Sequence, residues 1–422
     1  MRGSRSRGSW ETSFTVMKAS WWHGGRVYRG PPPARGPRGL DWRFVQPYLE
    51  RSAHRRILAA GMLGFLLLGA IQAAYGPAFP GLVRRFDVGL DLLGQAVALH
   101  FAGSFLTIAL TGPLLVRIGY RRPLALGALV MLAAAVVVAW APSLPWLFVG
   151  ATLGGLGFGM TDVALNLLIA RSFAPNAAPA LNLVNAFFGV GSVATPVAIA
   201  LSGGGIVAAM GIVAVVAAVM VPLAWSLDEP SRPSAVRGRV PWFAAAGFLL
   251  MYFIYVSGEV GVGTWETVHL APFIGERAAA FNASVYWAAL TVGRLLAIPI
   301  SARVAPATLV VSASCLAFLG AAAAHVPSLA PFAYPFVGLA LAPIFPTGLA
   351  WLQRVFPSRS ETIASAVLAA ATLGPVATSG AFGGLVERFG SAVVPSVLTV
   401  VIGAGFVVSL VLRLGTRSAQ TT

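Results

Sequence analysis

Asp162 stands in the stretch GLGFGMTDVALNLLIARSF, residues 155–173, with no cation until Arg171, about two and a half helical turns further on. Only two other acids, Glu259 and Glu266, fall well inside apolar segments of this chain. A charged acid at the centre of a membrane helix costs ~2.5–3.5 kcal/mol even on the lenient insertion scale, so it persists where it is paired, hydrated or used. Desolvation favours the neutral form of a carboxyl. An acid that is neutral when enclosed and charged when wetted can carry one proton per turnover, and it can bind a hydroxyl in either state. Asp162 is therefore the first candidate for proton coupling.

Its neighbours sit at helical spacing. Gly155, Gly159, Asp162 and Asn166 step by four, three and four and share one helix face. The glycines admit a close partner helix, and Asp162 and Asn166 face the remaining space. A second polar face runs along Tyr252, Tyr255, Glu259, Gly263 and Glu266. Gly258, Gly261 and Gly263 suggest that this helix unwinds near its middle or outer half, as transporter helices do beside a substrate. Glu259 is the second proton-coupling candidate. Glu266 and His269, about two turns further out, suit an interfacial ion pair as well as a function. Trp265 either stacks on the apolar face of a sugar ring or fills the core. His100 either relays protons or joins two helices by a hydrogen bond. Gln72, Asn185, Asn282 and Tyr255 complete the candidate substrate contacts, since amides and phenols both donate and accept. Arg294 reads as a gating or snorkelling residue near a helix end.

The elements that must position these groups are membrane helices. The 422 residues are 57% hydrophobic and 10% charged, with a mean hydropathy of +0.81; a soluble domain carries about a quarter charged residues. Twelve apolar segments are expected near 57–79, 90–111, 123–142, 145–170, 179–201, 203–226, 241–270, 279–302, 307–325, 329–353, 361–385 and 391–413. Each is long enough to cross a hydrocarbon core of ~30 Å as a helix, and none shows the alternation of a barrel strand. The fold class is thus all-α polytopic, with twelve transmembrane helices in two pseudo-symmetric six-helix bundles. Of the 17 arginines after residue 56, 13 fall on the side of the N-terminus, which places both termini in the cytoplasm and the chain in a plasma or inner membrane.

Residues 1–56 hold 12 of the 29 Lys and Arg against three acids. They are expected to be a disordered cytoplasmic extension or a basic arm on anionic headgroups, not a secretory signal. Their charge makes no case for nucleic acid. The bundles are expected at 57–226 and 241–422, joined by a cytoplasmic linker at 227–240. The halves repeat at an offset of 183: Gly155 matches Gly338, Arg171 matches Arg354, Phe173 matches Phe356 and Gly191 matches Gly374. The acids do not recur; Asp162 falls on Phe345 and Glu259 on Gly76. A purely architectural acid would more readily have appeared twice.

The connection GPLLVRIGYRRPL, 112–124, resembles the signature loop of the major facilitator superfamily, with Gly112, Arg117, Gly119 and Arg121 in place as a gating loop and Val116 where the pattern has an acid. The stretches GFGMTDVALN, YVSGEVGVGTW, SVYWAALTVGR and GLALAPIFPTGLA resemble the fucose-permease-like branch. The resemblance covers about 57–413 and implies proton-coupled uptake of a sugar or similar polyol, with Asp162 and Asn166 at the branch's proton-coupling and sugar-contacting places. The acid that the branch's fucose permease has in span one is replaced here by Gly76. The expected activity is import of a small neutral polar solute, a monosaccharide for choice, driven by the proton gradient with no cofactor or metal, by a monomer. A proton-coupled efflux antiporter is the alternative, since GVGSVATP, 189–196, loosely resembles an antiporter motif. An enzyme is not expected: there is no HExxH, no GxSxG and no His/Cys cluster.

Overall fold

A computed structural model describes residues 52–173, 177–228, 242–356 and 360–418. The expected extension lies outside these up to residue 51, as do linker residues 229–240 and the side chain of Val116. Every described element is helical apart from short connections. Span one comprises Ser52–Gln72 and Tyr75–Phe86, span two Leu90–Ile118, span three Arg121–Ala139, span four Leu144–Ser172, span five Ala178–Leu201 and span six Ile206–Trp225. Span seven is Trp242–Ile274, span eight Glu276–Ser301, span nine Pro306–Ala323, span ten Ala330–Leu341 with Ile344–Val355, span eleven Ser360–Phe389 and span twelve Val394–Ser418. Among the described residues twelve helices are long and apolar enough to cross a membrane, as the hydropathy pattern predicts.

Helix pairing repeats between the halves. Span one packs on five and six, two on four, and three on four and six; seven packs on eleven and twelve, eight on ten, and nine on ten and twelve. The repeated glycines pack on matching helices. Gly191 meets the Leu66 carbonyl and the Ala70 nitrogen on span one, and Gly374 meets the Phe253 carbonyl on span seven, where Phe253 is Ala70 shifted by 183. The two approaches use the same helix pair of each half, displaced by about one turn. Spans three, six, nine and twelve turn apolar side chains outward, among them Leu129, Val215, Leu319 and Val400; an apolar belt of this kind is stable only against lipid.

Among the described residues two spans are interrupted, each just before a proline, although Pro196, Pro299 and Pro375 lie within continuous helices. Pro77 has no N–H and its ring crowds the carbonyl four residues back, at Ala73; span one stops at Gln72 and restarts at Tyr75. Pro346 does the same to Ala342, where span ten is interrupted. The expected unwinding of span seven does not occur: Trp242–Ile274 is one continuous helix. Its glycines are filled from outside instead, Gly263 by the Trp287 indole and Gly258 by Ile402, so the missing side chains expose no backbone.

The halves meet through spans two and eleven, five and eight, and one and seven. At the end away from the chain termini, hereafter the far end, the closure is tight. The Leu90 N–H donates to Glu387 Oε2 at 2.9 Å, and Arg84 Nη1 lies 2.6 Å from Glu276 Oε1. Gly76 sits against the carbonyls of Gly263 and Thr264. Gly76 is required there, because any Cβ would collide with that backbone. Nearer mid-depth, Ser284 Oγ donates to the Val193 carbonyl at 3.0 Å.

Candidate functional site

The span-four glycine face behaves as its spacing predicts. Gly155 rests on the His100 carbonyl and Gly159 on the Ser104 carbonyl of span two. One turn beyond Gly159, in the half of span four nearer the termini, Asp162 is only partly buried. Asn166 Nδ2 donates to Asp162 Oδ1 at 2.9 Å and to the Asp162 carbonyl at 3.0 Å. Among the described residues no cation pairs with Asp162. Its second oxygen is left for water or solute.

Glu259 is placed differently. Arg294 Nη2 of span eight lies 3.5 Å from Glu259 Oε1. Tyr255 donates its hydroxyl to Glu259 Oε2, and Tyr286 donates to the Glu259 carbonyl at 2.9 Å. Arg294 also reaches Phe188 of span five, with its guanidinium carbon 5.9 Å from the ring centre. The side chain expected to snorkel or gate is instead drawn back toward the middle of the bundle by a carboxylate and an aromatic face. Phe188 gave no signal in the sequence, since one aromatic among many apolar residues marks nothing.

Gln72, Asp162, Asn166, Asn185, Phe188, Arg294 and Phe345, on spans one, four, five, eight and ten, are each partly exposed. Asn185 Nδ2 donates to the Leu181 carbonyl at 2.8 Å. Phe345, the position that repeats Asp162, packs against Tyr252 and Tyr255. The first half thus carries an acid held by one amide, and the second a tyrosine–carboxylate–guanidinium group.

Other expected contacts lie elsewhere. Trp265 is fully buried, stacked on Phe382 at 5.4 Å and 7° with Phe79 edge-on at 5.3 Å; in this conformation both rings seal the far end. Asn282 Nδ2 donates to the Pro331 carbonyl at 2.8 Å, tying span eight to span ten. His100 is fully buried, and its Nδ1 lies 2.9 Å from Tyr75 Oη at the start of the second segment of span one. Glu266 and His269 form no ion pair; His269 Nδ1 lies 2.7 Å from Tyr334 Oη. In the loop motif, Gly119 turns the chain at φ 75°, a conformation glycine adopts without strain. Arg121 reaches Asp228 at 4.0 Å, Arg117 is exposed, and Gly112 faces open space. Among the described residues no three or more His, Cys, Asp or Glu gather to hold a metal ion.

A sequence comparison finds 30% identity over 142 residues with the probable plastidic glucose transporter 1 of Arabidopsis thaliana, 33% of this chain and 25% of that protein. The match thus spans about a quarter of that relative's length. Among solved structures, the partially occluded inward-open form of the xylose transporter XylE from E. coli superposes with a TM-score of 0.70 at 17% identity, covering 84% of this chain and 98% of that one. The nucleoside transporter NupG superposes with a TM-score of 0.66 at 14% identity, covering 86% and 98%. These likenesses show the fold. Residues 61–328 match the family model of the Major Facilitator Superfamily, more than half of the 422 residues, and the chain belongs to that superfamily of membrane transporters.

Proposed function

We propose that this transporter imports a small neutral polar solute, a monosaccharide above all, together with a proton, and that the terminal end faces the cytoplasm of a plasma or inner membrane. The carrying observation is the contrast between two acids. Glu259 is balanced by Arg294 and Tyr255, whereas Asp162 has only the neutral Asn166 and an open side. In the proposed path, an opening between the halves lined by these side chains, the paired group adds no net charge, so a neutral solute enters without an unpaired partner, and one carboxyl is left to gain and lose a proton.

Asp162 takes a proton when the far end is open, and the solute hydroxyls bind Asn166, Gln72, Asn185 and the Tyr255–Glu259–Arg294 group. Once the bundle opens toward the termini, water reaches Asp162 and proton and solute leave. Both ligands bias the same two-state equilibrium, so each strengthens the other's binding. The arginine distribution supports the orientation. The likeness to a glucose transporter and to a xylose transporter supports the solute class. No cofactor takes part beyond the proton gradient.

The test uses the full chain in vesicles with an imposed pH gradient and a panel of labelled monosaccharides. Uptake that acidifies the lumen and stops with a protonophore supports the reading. Export that acidifies the lumen assigns the efflux alternative.

A further inference from the structure

Glu266 lies two helical turns beyond Glu259 on the same face of span seven. Its side chain is fully buried, and neither carboxylate oxygen has a hydrogen-bond partner. Asp162 and Glu259 both have partners. The titratable groups within electrostatic reach of Glu266 are Tyr286 of span eight and Tyr334 of span ten. Both phenols are committed elsewhere, Tyr286 to the Glu259 carbonyl and Tyr334 to His269. Around it on span seven, Trp265 packs on Phe79 of span one and Phe382 of span eleven, Gly261 and Gly258 on Leu398 and Ile402 of span twelve, and Gly263 on the Trp287 indole of span eight, whose N–H makes no hydrogen bond. No cation is paired with Glu266 among the described residues.

A bare carboxylate here would give up all its water bonds and gain none, whereas the neutral acid gives up far less. The turn that carries Glu266 also carries Gly263, Thr264 and Trp265, which seal the far end against Gly76, Phe79 and Phe382. Water can solvate a charged Glu266 only if this part of span seven parts from its neighbours.

We propose that Glu266 is a proton-binding site that locks the far-end gate: the gate closes over Glu266 only as the neutral acid, and ionisation of Glu266 favours the open gate. As the gate closes, a proton from water at the far end forms the O–H bond on one Glu266 oxygen; as it opens, the proton returns to the same water. The site carries no net proton across the membrane, so it adds to the role given to Asp162 and does not replace it.

The experiment places spin labels on the full chain, in lipid nanodiscs, at Ser143→Cys and Ala278→Cys, with Cys315→Ser. Both label sites are exposed at the far end, one in each half. Distances are measured from acid to alkaline pH. The long-distance, open population should grow with pH, by at most about tenfold per unit for one linked proton. Because Asp162 biases the same equilibrium, the comparison is made in an Asp162→Asn chain: that chain should still shift with pH, and adding Glu266→Gln should hold the short distance at every pH. An Asp162→Asn chain without pH dependence, or an Asp162→Asn, Glu266→Gln chain that keeps it, overturns the proposal. If Glu266→Gln does not fold, infrared spectra of the Asp162→Asn chain decide: the buried-acid C=O stretch must fade as the gate opens, and a stretch that persists through opening overturns it. Failure of proton-driven uptake with a working pH-dependent gate would remove the proposed function and leave this inference standing.

Discussion

Arg294 of span eight holds its guanidinium 3.5 Å from the carboxylate of Glu259 on span seven, both of them near the interface with the other half. The two acids differ in their partners: Glu259 has a guanidinium and a phenol, and Asp162 has the amide of Asn166. Under the proposed function, the pair keeps Arg294 from attracting an anion, and Asp162 carries the proton.

Removing one partner leaves the other charge poorly compensated. Glu259→Gln should therefore destabilise the protein by about 3 kcal/mol, the lower end of the range for a broken buried pair because Arg294 keeps some solvent contact. Glu259→Gln with Arg294→Met should cost less than the sum of the two single changes. Thermal unfolding of the purified variants measures the coupling, and strict additivity would show that the pair contributes nothing.

Asp162→Asn should abolish accumulation driven by a pH gradient while solute exchange remains. Asn166 can still donate to the amide oxygen that replaces Asp162 Oδ1, so the local geometry is kept and only the proton is lost. In the parent, acid outside should drive uptake. With one proton per solute, a one-unit gradient supplies about 1.4 kcal/mol, or up to about tenfold accumulation. Uphill uptake that survives in Asp162→Asn would remove this residue from the coupling step.

Gly76→Leu tests the far-end seal. Its side chain would enter the space held by the Gly263 and Thr264 carbonyls, an overpacking penalty of about 1–3 kcal/mol that falls mainly on the closed gate. The open population should rise by about 5–150-fold. A cysteine at the buried Phe382 position, in a Cys315→Ser chain, should then react faster with a membrane-impermeant maleimide from the far side. An unchanged rate would mean that span one does not hold the gate.

Much of this architecture is written in short-range patterns. The twelve spans follow from apolar length alone, and the Gly155–Gly159 face follows from helical spacing, because both depend on residues close in sequence. The Arg294–Glu259 pair could not be read, since it needs the relative rotation of spans seven and eight. Trp265 could be read as a sugar platform or as core; the stacking on Phe382, more than 100 residues away in sequence, is what places it in the seal. The glycines of span seven predict a helix break that falls instead in spans one and ten. Glycines in span seven looked weak, but a glycine in a buried helix costs little backbone exposure when a Trp287 fills the gap. A proline leaves a donor missing whatever its surroundings.

Pro343 and Pro346 offer the converse experiment. In Pro346→Ala combined with Pro343→Ala the new N–H groups can bond the Leu339 and Ala342 carbonyls, and the rings that crowd those carbonyls are gone. Span ten should then tend to close into one helix from Ala330 to Val355, the two segments now interrupted near Pro343. Phe345 and Gly348 sit just beyond the break, against Tyr252, whose hydroxyl donates to the Phe345 carbonyl at 2.6 Å. Straightening the span would move Phe345 relative to the Tyr255–Glu259 group and stiffen the joint between its two segments. Thermal stability should hold or rise, while the transport rate falls severalfold with little change in solute affinity. The ratio of rate to affinity in vesicle uptake reads this directly. A variant that loses affinity and keeps its rate would show that the prolines place the solute contacts and do not serve the motion.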